Sequence, residues 1–473
     1  MRRIIFIISG LTLASLLHGQ RVDSLTVEYA PAGGFYGQQQ SVELFAPGAD
    51  AIYYTLDGTT PTAESRRYHH AIMLDETVVL RAVAYRDGQP GRRMGQTYFI
   101  AEPRTRLPVV SIAIAPSVLF DPTKGIFVQG QSAVDSLWYL PGANFWTRRE
   151  FGAQVEIFES DGRSVYNSYS GLRLFGGMSR LFPQKSIALV ARHRYGETRF
   201  RYPIFGPDRP DRFKYLVLRN SGSDFGKTHF RDALMTGLVA DWDLETQAYR
   251  PAHVYINGAY WGIYNLREKV NRYFIDSYAD EVDKDSIDLL EHYLVRKRGS
   301  RGHYQEMLDF LERYDLSVAE NYAYLGEQME IDNFMLYEIA QIYFDNQDAG
   351  GNIKYWRPQT PDGRWRWILY DTDWGFGLHD PLAYRNNSLA FHTEPNGPNW
   401  PNPPWSTFLL RKLLQNEDFR RLFVNRFADH LNTTFAPARV ERFIDSLYLQ
   451  LLPEMPRHLA RWRLNEDRWK AEV

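Results

Sequence analysis

The alternation of apolar and polar positions divides this chain into a strand-rich start, a mixed middle and a helical end. Between about Val22 and Glu102, short β-rich runs recur with Gly, Pro or Asp-Gly between them: Ser24 to Tyr29, Ser41 to Phe45, Ala51 to Thr55, Ile72 to Leu74, Val78 to Tyr85 and Gln96 to Ile100. Such spacing predicts a β-sandwich of about 80 residues. Pro103 to Pro108 is a charged, proline-bounded linker. Beyond it, Val109 to Ala115 and Phe151 to Phe158 read as buried strands, and Leu172 to Phe175 and Ser186 to Val190 flank a loop holding Gly176 and Gly177. A strand from Leu216 to Asn220 precedes a helix from His229 to about Asp241, for which Thr228 is the expected cap. Asn257-Gly258 signals a hairpin within Ala252 to Asn271, its second strand ending at Glu268. Helices are predicted over Tyr304 to Tyr314 and Asp332 to Phe344, and the spacing of Leu, Phe and Val makes Thr407 to about Trp469 helical.

The stretch Ile342 to Gly377 organises the rest. A helix end leads into the polar loop DNQDAGGN (Asp345 to Asn352), then a strand, Ile353 to Arg357, a Pro-Asp-Gly turn at Pro361 to Gly363, a second strand, Trp365 to Tyr370, and the acidic end DTDWGFG. Turn chemistry between two aromatic, β-rich runs predicts a hairpin, which sets Asn352 beside Asp371. Asp348, Asn352, Asp371 and Asp373 then converge. Converging carboxylates repel unless a hard cation such as Mg²⁺ lies between them. Phosphoryl transfer uses this set: a carboxylate to orient or deprotonate a hydroxyl, and Asn plus Asp to hold Mg²⁺ against nucleotide phosphates. The plainer alternative is that Asp and Asn favour turns and strand ends.

Other segments gain meaning from that company. Backbone N–H groups around Gly176 and Gly177 can approach phosphates, Lys185 could reach them, and Glu268 could pair with Lys185. Arg231 and Asp232, on the first turn of their helix, read as surface ion pairs. The cluster Arg296, Lys297, Arg298 and Arg301 reads as solvated. Asn386 to Pro404, rich in Asn, Pro and Trp, reads as a long loop ordered by aromatics near the site.

Composition narrows the class. At 473 residues, 44 % hydrophobic, with 12 Trp, 30 Tyr and 28 Phe, the chain can build several cores. A formal charge of -2 gives no field to recruit nucleic acid. No cysteine is present, which excludes disulfides, thiolate metal sites and a Cys nucleophile. Met1 to Gln20, with Arg2, Arg3 and an apolar run from Ile4 to Leu17, has the layout of a secretory signal peptide. The expectation is a secreted, periplasmic or cell-surface protein with no membrane span in the mature chain.

The motifs GLRLFGGMSRLFPQKSI (Gly171 to Ile187), Arg231-Asp232, NGAYWGIYNLREK (Asn257 to Lys269), Asp348 to Asn352 followed by NIKYWR, and WRWILYDTDWGFG (Trp365 to Gly377) resemble the spore coat protein H (CotH) kinase family. IYYTLDGTTP, Ile52 to Pro61, resembles the Fn3-like module at the end of chitobiase and hexosaminidase enzymes, a familiar companion of exported bacterial CotH proteins. The resemblance implies an α+β chain: a signal peptide over 1–20, a β-sandwich over 21–103 and an atypical protein-kinase-like bilobal domain over 104–473. It implies that Lys185 contacts phosphate with Glu268 as its partner, that Asp348 is the catalytic base, and that Asn352 and Asp371 bind metal with Asp373 beside them. ATP and Mg²⁺ or Mn²⁺ would serve phosphorylation of Ser or Thr on secreted or surface proteins, and the module reads as a structural spacer first, with a glycan or wall contact as its alternative. The loop Asp-Ala-Gly-Gly-Asn departs from relatives that carry Trp-Pro or His after the Asp. Two alternatives stay open: a catalytically silent kinase fold used for surface binding or coat assembly, and, below it, a glycan hydrolase whose acidic pair does the chemistry.

Overall fold

The computed structural model describes residues 25–279 and 281–473; the leader expected over Met1 to Gln20 lies outside the described residues. The fold is α+β, a sheet-rich N-terminal module followed by a two-lobed domain. In strand Gln40–Phe45, alternation turns Val42 and Leu44 inward and Ser41 and Glu43 outward. This strand joins Glu28–Ala30 and Ile72–Leu74 in one sheet, while Gly34–Tyr36, Met94–Ile100, Val78–Arg86 and Ala51–Thr55 lie in the facing one. Val42, Leu44, Leu80, Ala82 and Tyr98 fill the space between.

Polar and apolar contacts fasten the module to the two-lobed domain. Arg81 donates to the Gly58 carbonyl at 2.6 Å and to the Tyr169 hydroxyl, and Gln154 donates to the Gly95 carbonyl at 2.6 Å. Phe35, Phe99, Phe158 and Tyr255 form an apolar cluster beside these bonds. Glu156, 3 % exposed, accepts from Thr97 across the seam at 2.5 Å and from Asn167 of its own barrel at 3.1 Å. Burial pushes its carboxyl from 4.5 up to about 7, so the native state keeps a proton that the unfolded chain has released. The resulting stabilisation is complete below pH 4.5 and fades as pH rises to about 7. Glu156→Gln should therefore flatten the fall in melting temperature between pH 5 and 8; an unchanged slope would mean Glu156 is ionised in the fold.

The first lobe is a closed seven-stranded barrel, in spatial order Val109–Ala113, Phe151–Phe158, Ser164–Leu174, Ile187–Val190, Tyr215–Arg219, Ala259–Glu268 and Tyr249–Ile256. All neighbours are antiparallel except the last and first, which close the barrel in parallel. Leu172, Leu189, Leu216 and Leu266 point inside. The registers Arg173↔Ala188, Ala188↔Val217 and Val217↔Arg267 make the alternate positions one row on the outer face.

The second lobe carries the expected hairpin. Lys354–Pro358 pairs antiparallel with Arg366–Leu369, with Lys354 opposite Ile368. Ile287–Glu291, Val295–Arg298 and the short Glu245–Thr246 complete a five-stranded sheet. Helix Ile331–Tyr343 packs against it, burying Phe334, Ile339 and Ala340 with Trp365 and Trp367. The predicted Thr228 cap is not made. The helix starts at Arg231, and the N–H and hydroxyl of Thr228 and the N–H of Arg231 all donate to the buried Asp224 carboxylate. Near the C-terminus, helix Met455–Trp462 returns to the barrel, where His458 Nδ1 accepts from the Ile263 N–H at 3.0 Å. No helix among the described residues is long and apolar enough to cross a membrane.

Candidate active site

A cleft of about 360 Å³ lies between the barrel's outer row and the open end of the hairpin. Arg173, Val217, Arg219, Arg267 and Lys269 form its barrel side, with Phe175 and Gly176 from the glycine loop; Glu291, His292, Asn352, Lys354, Tyr370 and Asp371 face them. Strand alternation explains the barrel side. In Gly171-Leu172-Arg173-Leu174 the two leucines go into the core, so Arg173 must go out.

The barrel side holds more positive charge than it neutralises. Lys269 stands 4.7 Å and Arg173 6.0 Å from the Tyr215 ring centre. Burial, with repulsion from Arg173 and Lys354, brings the Lys269 amine down to about 7. Lys354 lies 3.9 Å from Glu291 and 4.0 Å from the Tyr370 ring centre. Like charges held together against a low-dielectric wall favour a polyanion.

The floor is acidic and tightly paired. Arg219 donates to Asp371 at 2.5 Å and to Asp373 at 2.7 Å. Arg267 reaches Asp232 at 2.9 Å, and the Thr372 N–H donates to the same carboxylate at 2.9 Å. Burial opposes the charge on Asp232, but Arg267 and Arg219 win and hold its carboxyl below the ordinary range. Asp373, 4 % exposed in its side chain, is pushed up to about 7 by burial despite Arg219. Asp371 differs: its side chain is 37 % exposed, and its backbone takes a left-handed φ of 57°. That conformation, uncommon outside Gly, Asn and Asp, turns the chain at the strand end. Gly222 fits only as glycine, because a Cβ there would stand 2.2 Å from Asp373 Oδ2.

Asp348 occupies the loop after helix Ile331–Tyr343. Asn352 Nδ2 donates to its Oδ2 at 2.8 Å and to the Asp371 carbonyl at 3.3 Å. Trp400, from the aromatic loop after Asn386, donates to Asp348 Oδ1 at 2.5 Å. Burial, with help from Asp371, pushes the Asp348 carboxyl up to about 6.

Asp348, Asn352 and Asp371 are thus brought together, and Gly176 lines the cleft. Gly177 stands outside the walls, and Asp373 is turned to Arg219 and the Ser223 N–H rather than to the cleft. The expected Lys185–Glu268 pair is not made. Lys185 donates to the carbonyls of Arg180 at 2.5 Å and Phe182 at 2.8 Å and lies 4.3 Å from the Phe145 ring centre. It sits before the strand begins at Ile187 and serves the unpaired carbonyls of the short turn Met178–Leu181. Burial lowers its amine to about 8. Glu268, pushed up to about 7 by burial, accepts from the Ala248 N–H and the Tyr278 hydroxyl. It shares strand parity with Leu216 inside the barrel; its neighbour Lys269 has the cleft parity. Arg231 and Asp232, read as surface ion pairs, are both buried.

The residues missed from sequence are therefore Arg173, Lys269, Arg219, Arg267 and Trp400. For Arg173, Arg267 and Lys269, alternation against Leu172 and Leu266 was an available signal, and Trp400 belongs to the aromatic loop expected near the site; for Arg219 there was no signal.

A barrel, a helical lobe and a cleft with a basic wall facing Asn352 and Asp371, with Asp348 bonded to Asn352 outside the cleft lining, define a two-lobed kinase-like domain. Residues 172–473 match the family model described as CotH kinase protein, and the chain belongs to that family. Residues 31–94 match the chitobiase/beta-hexosaminidase C-terminal domain. A comparison with curated proteins found no match.

Proposed function

We propose that this chain is an atypical protein kinase that transfers the γ-phosphate of ATP to a Ser or Thr hydroxyl of a secreted or surface protein. The observation that carries the reading is the surplus of positive charge at Arg173 and Lys269, directly across the cleft from Asp371 and Asn352. A triphosphate is the polyanion of matching size.

The donor set suits a divalent ion of the Mg²⁺ or Mn²⁺ type. Among the described residues no group of three or more His, Asp or Glu side chains is arranged as a metal cage. Mg²⁺, however, is commonly held by one or two protein oxygens plus substrate phosphates. Asp371, half-open to the cleft, and Asn352, whose amide nitrogen is used on Asp348, are the residues that would hold it. Such an ion, when bound, neutralises charge on the transferring phosphate. Arg219 keeps the Asp371 carboxylate in place by gripping Oδ1. Arg173 and Lys269 bind and orient phosphate oxygens. Asp348, ionised above about pH 6, accepts the proton of the attacking hydroxyl, and Trp400 and Asn352 fix the direction of its oxygens. The firmly seated N-terminal module suits a spacer that meets carbohydrate, and the apolar run Ile4 to Leu17 supports export.

The test is labelling of the purified chain, or of proteins exported with it, by γ-labelled ATP with Mg²⁺ or Mn²⁺, compared with Asp371→Ala. Labelling by neither protein would reject the reading. ATP affinity sorts the cations. Arg173→Ala and Lys269→Ala should each weaken binding by about 10-fold or more, the worth of one charge-assisted hydrogen bond. Lys185→Met should leave it unchanged, and the reverse pattern would return the phosphate role to Lys185.

A further inference from the structure

The helical lobe holds a second cavity, of about 210 Å³, whose lining is about half aromatic. Tyr304, Tyr355, Trp367 and Trp405 are among the lining rings, and Glu338 is in the same lining. The rings brace one another: Tyr304 and Tyr355 have centroids 4.3 Å apart, Phe334 and Trp367 4.7 Å, and Tyr293 and Trp405 5.7 Å. This box is rigid.

Glu338 is the anomaly. Its residue is 6 % exposed, and among the described residues its carboxyl makes no hydrogen bond; His392 Nδ1 stands 4.0 Å from its Oε2. A buried carboxyl without a partner is costly, and an apolar side chain there would pack better for stability alone. Helix Ile331–Tyr343 nevertheless places it in the wall that this cavity shares with a smaller one holding His392 and Gln341.

We propose that this cavity binds an organic ammonium group, with Glu338 as the counter-charge and the rings as a cation–π cage. Aromatic faces attract cations, most strongly where water is excluded. The volume is below that of sites for drug-sized ligands, so the fit is to a head group such as a methylated or primary ammonium. Among the other charged groups on this wall, the positive charge of Arg411 is set against the negative charge of Glu312. Arg411 is engaged by the Pro404 carbonyl and the Thr407 hydroxyl. His392 is kept neutral, its basicity lowered to about 3 by burial. In the empty cavity burial raises the Glu338 carboxyl to about 8, so a cation entering at pH 7 displaces a proton. His292 belongs to both this cavity and the cleft. The ammonium could therefore come from a free amine or from a side chain of a bound polypeptide. This inference does not depend on nucleotide chemistry.

The experiment is calorimetry and thermal unfolding of the full chain, without ATP, against choline, tetramethylammonium, a trimethyl-lysine peptide and the neutral isostere 3,3-dimethylbutan-1-ol. Binding of the cations with proton release, and none by the isostere, is the expected result. A preference for choline assigns a free amine, and a preference for the peptide assigns a side chain. Glu338→Gln, which removes only the charge, should raise Kd by about 10-fold or more. Should that variant not fold, Trp405→Ala on the outer wall should weaken cation binding with an unchanged circular dichroism spectrum. Equal binding of the isostere, undiminished binding by Glu338→Gln or Trp405→Ala, or no binding by any cation would overturn the proposal.

Discussion

Asp348→Asn is expected to slow phosphoryl transfer by about 10² to 10⁴-fold, the usual contribution of a positioned general base, while ATP affinity changes little. Asp348 touches the loop and Trp400, not the basic wall, so the variant separates chemistry from binding. Single-turnover transfer and calorimetric ATP titration measure the two quantities independently. The pH profile supplies a second reading. Because the Asp348 carboxyl is raised to about 6 and its ionised form is the base, activity should fall as pH drops through about 6 and level off above it. An unchanged rate in the variant, or an acid limb near pH 4, would place the base elsewhere.

Arg219→Met should cost about 3 to 5 kcal/mol of stability, the range seen when one member of a buried ion pair is removed. Arg219 lies against Asp371 and Asp373 at 2.5 and 2.7 Å and within 3.9 Å of Asp232, with 11 % of its side chain exposed. Removing it leaves three carboxylates facing one another, with Arg267 the remaining cation on Asp232. Urea unfolding checks the loss. Adding Asp373→Asn to Arg219→Met should restore part of it, because that substitution removes the most buried of the newly unpaired charges. A loss below about 1 kcal/mol, the size of an exposed pair, would mean that water reaches the cluster and that Arg219 does not organise the floor.

These two residues differ in how visible they were. The position of Asp348 was legible because it rests on local relations: a helix end, a short polar loop and a hairpin bring Asp348, Asn352 and Asp371 together within a span of 24 residues, Asp348 to Asp371. Arg219 was not, since its partners lie 152 and 154 residues away and nothing in YLVLRN distinguishes an arginine under three carboxylates from a solvated strand end. The expected Lys185–Glu268 pair is not made, and neither residue lines the cleft, because the side of a strand on which a side chain emerges depends on where the strand begins and on which face the barrel closes. Lys185 precedes its strand, and Glu268 has the parity of the interior; Arg173 and Lys269 have the parity of the cleft.

By itself the sequence determined the strand-rich module, the hairpin and its acidic end, the helical finish and the family, since turn residues, alternation and capping act over a few positions and are written locally. The tertiary structure alone decided which cations face the carboxylates, that Asp232 is buried, that Trp400 reaches Asp348, and that the Glu338 carboxyl makes no hydrogen bond in the wall of the second cavity. Each of those depends on closure of a seven-stranded barrel and on its packing against a helical lobe. Contacts across that distance are selected by the burial of whole faces, and no short stretch of residues encodes them.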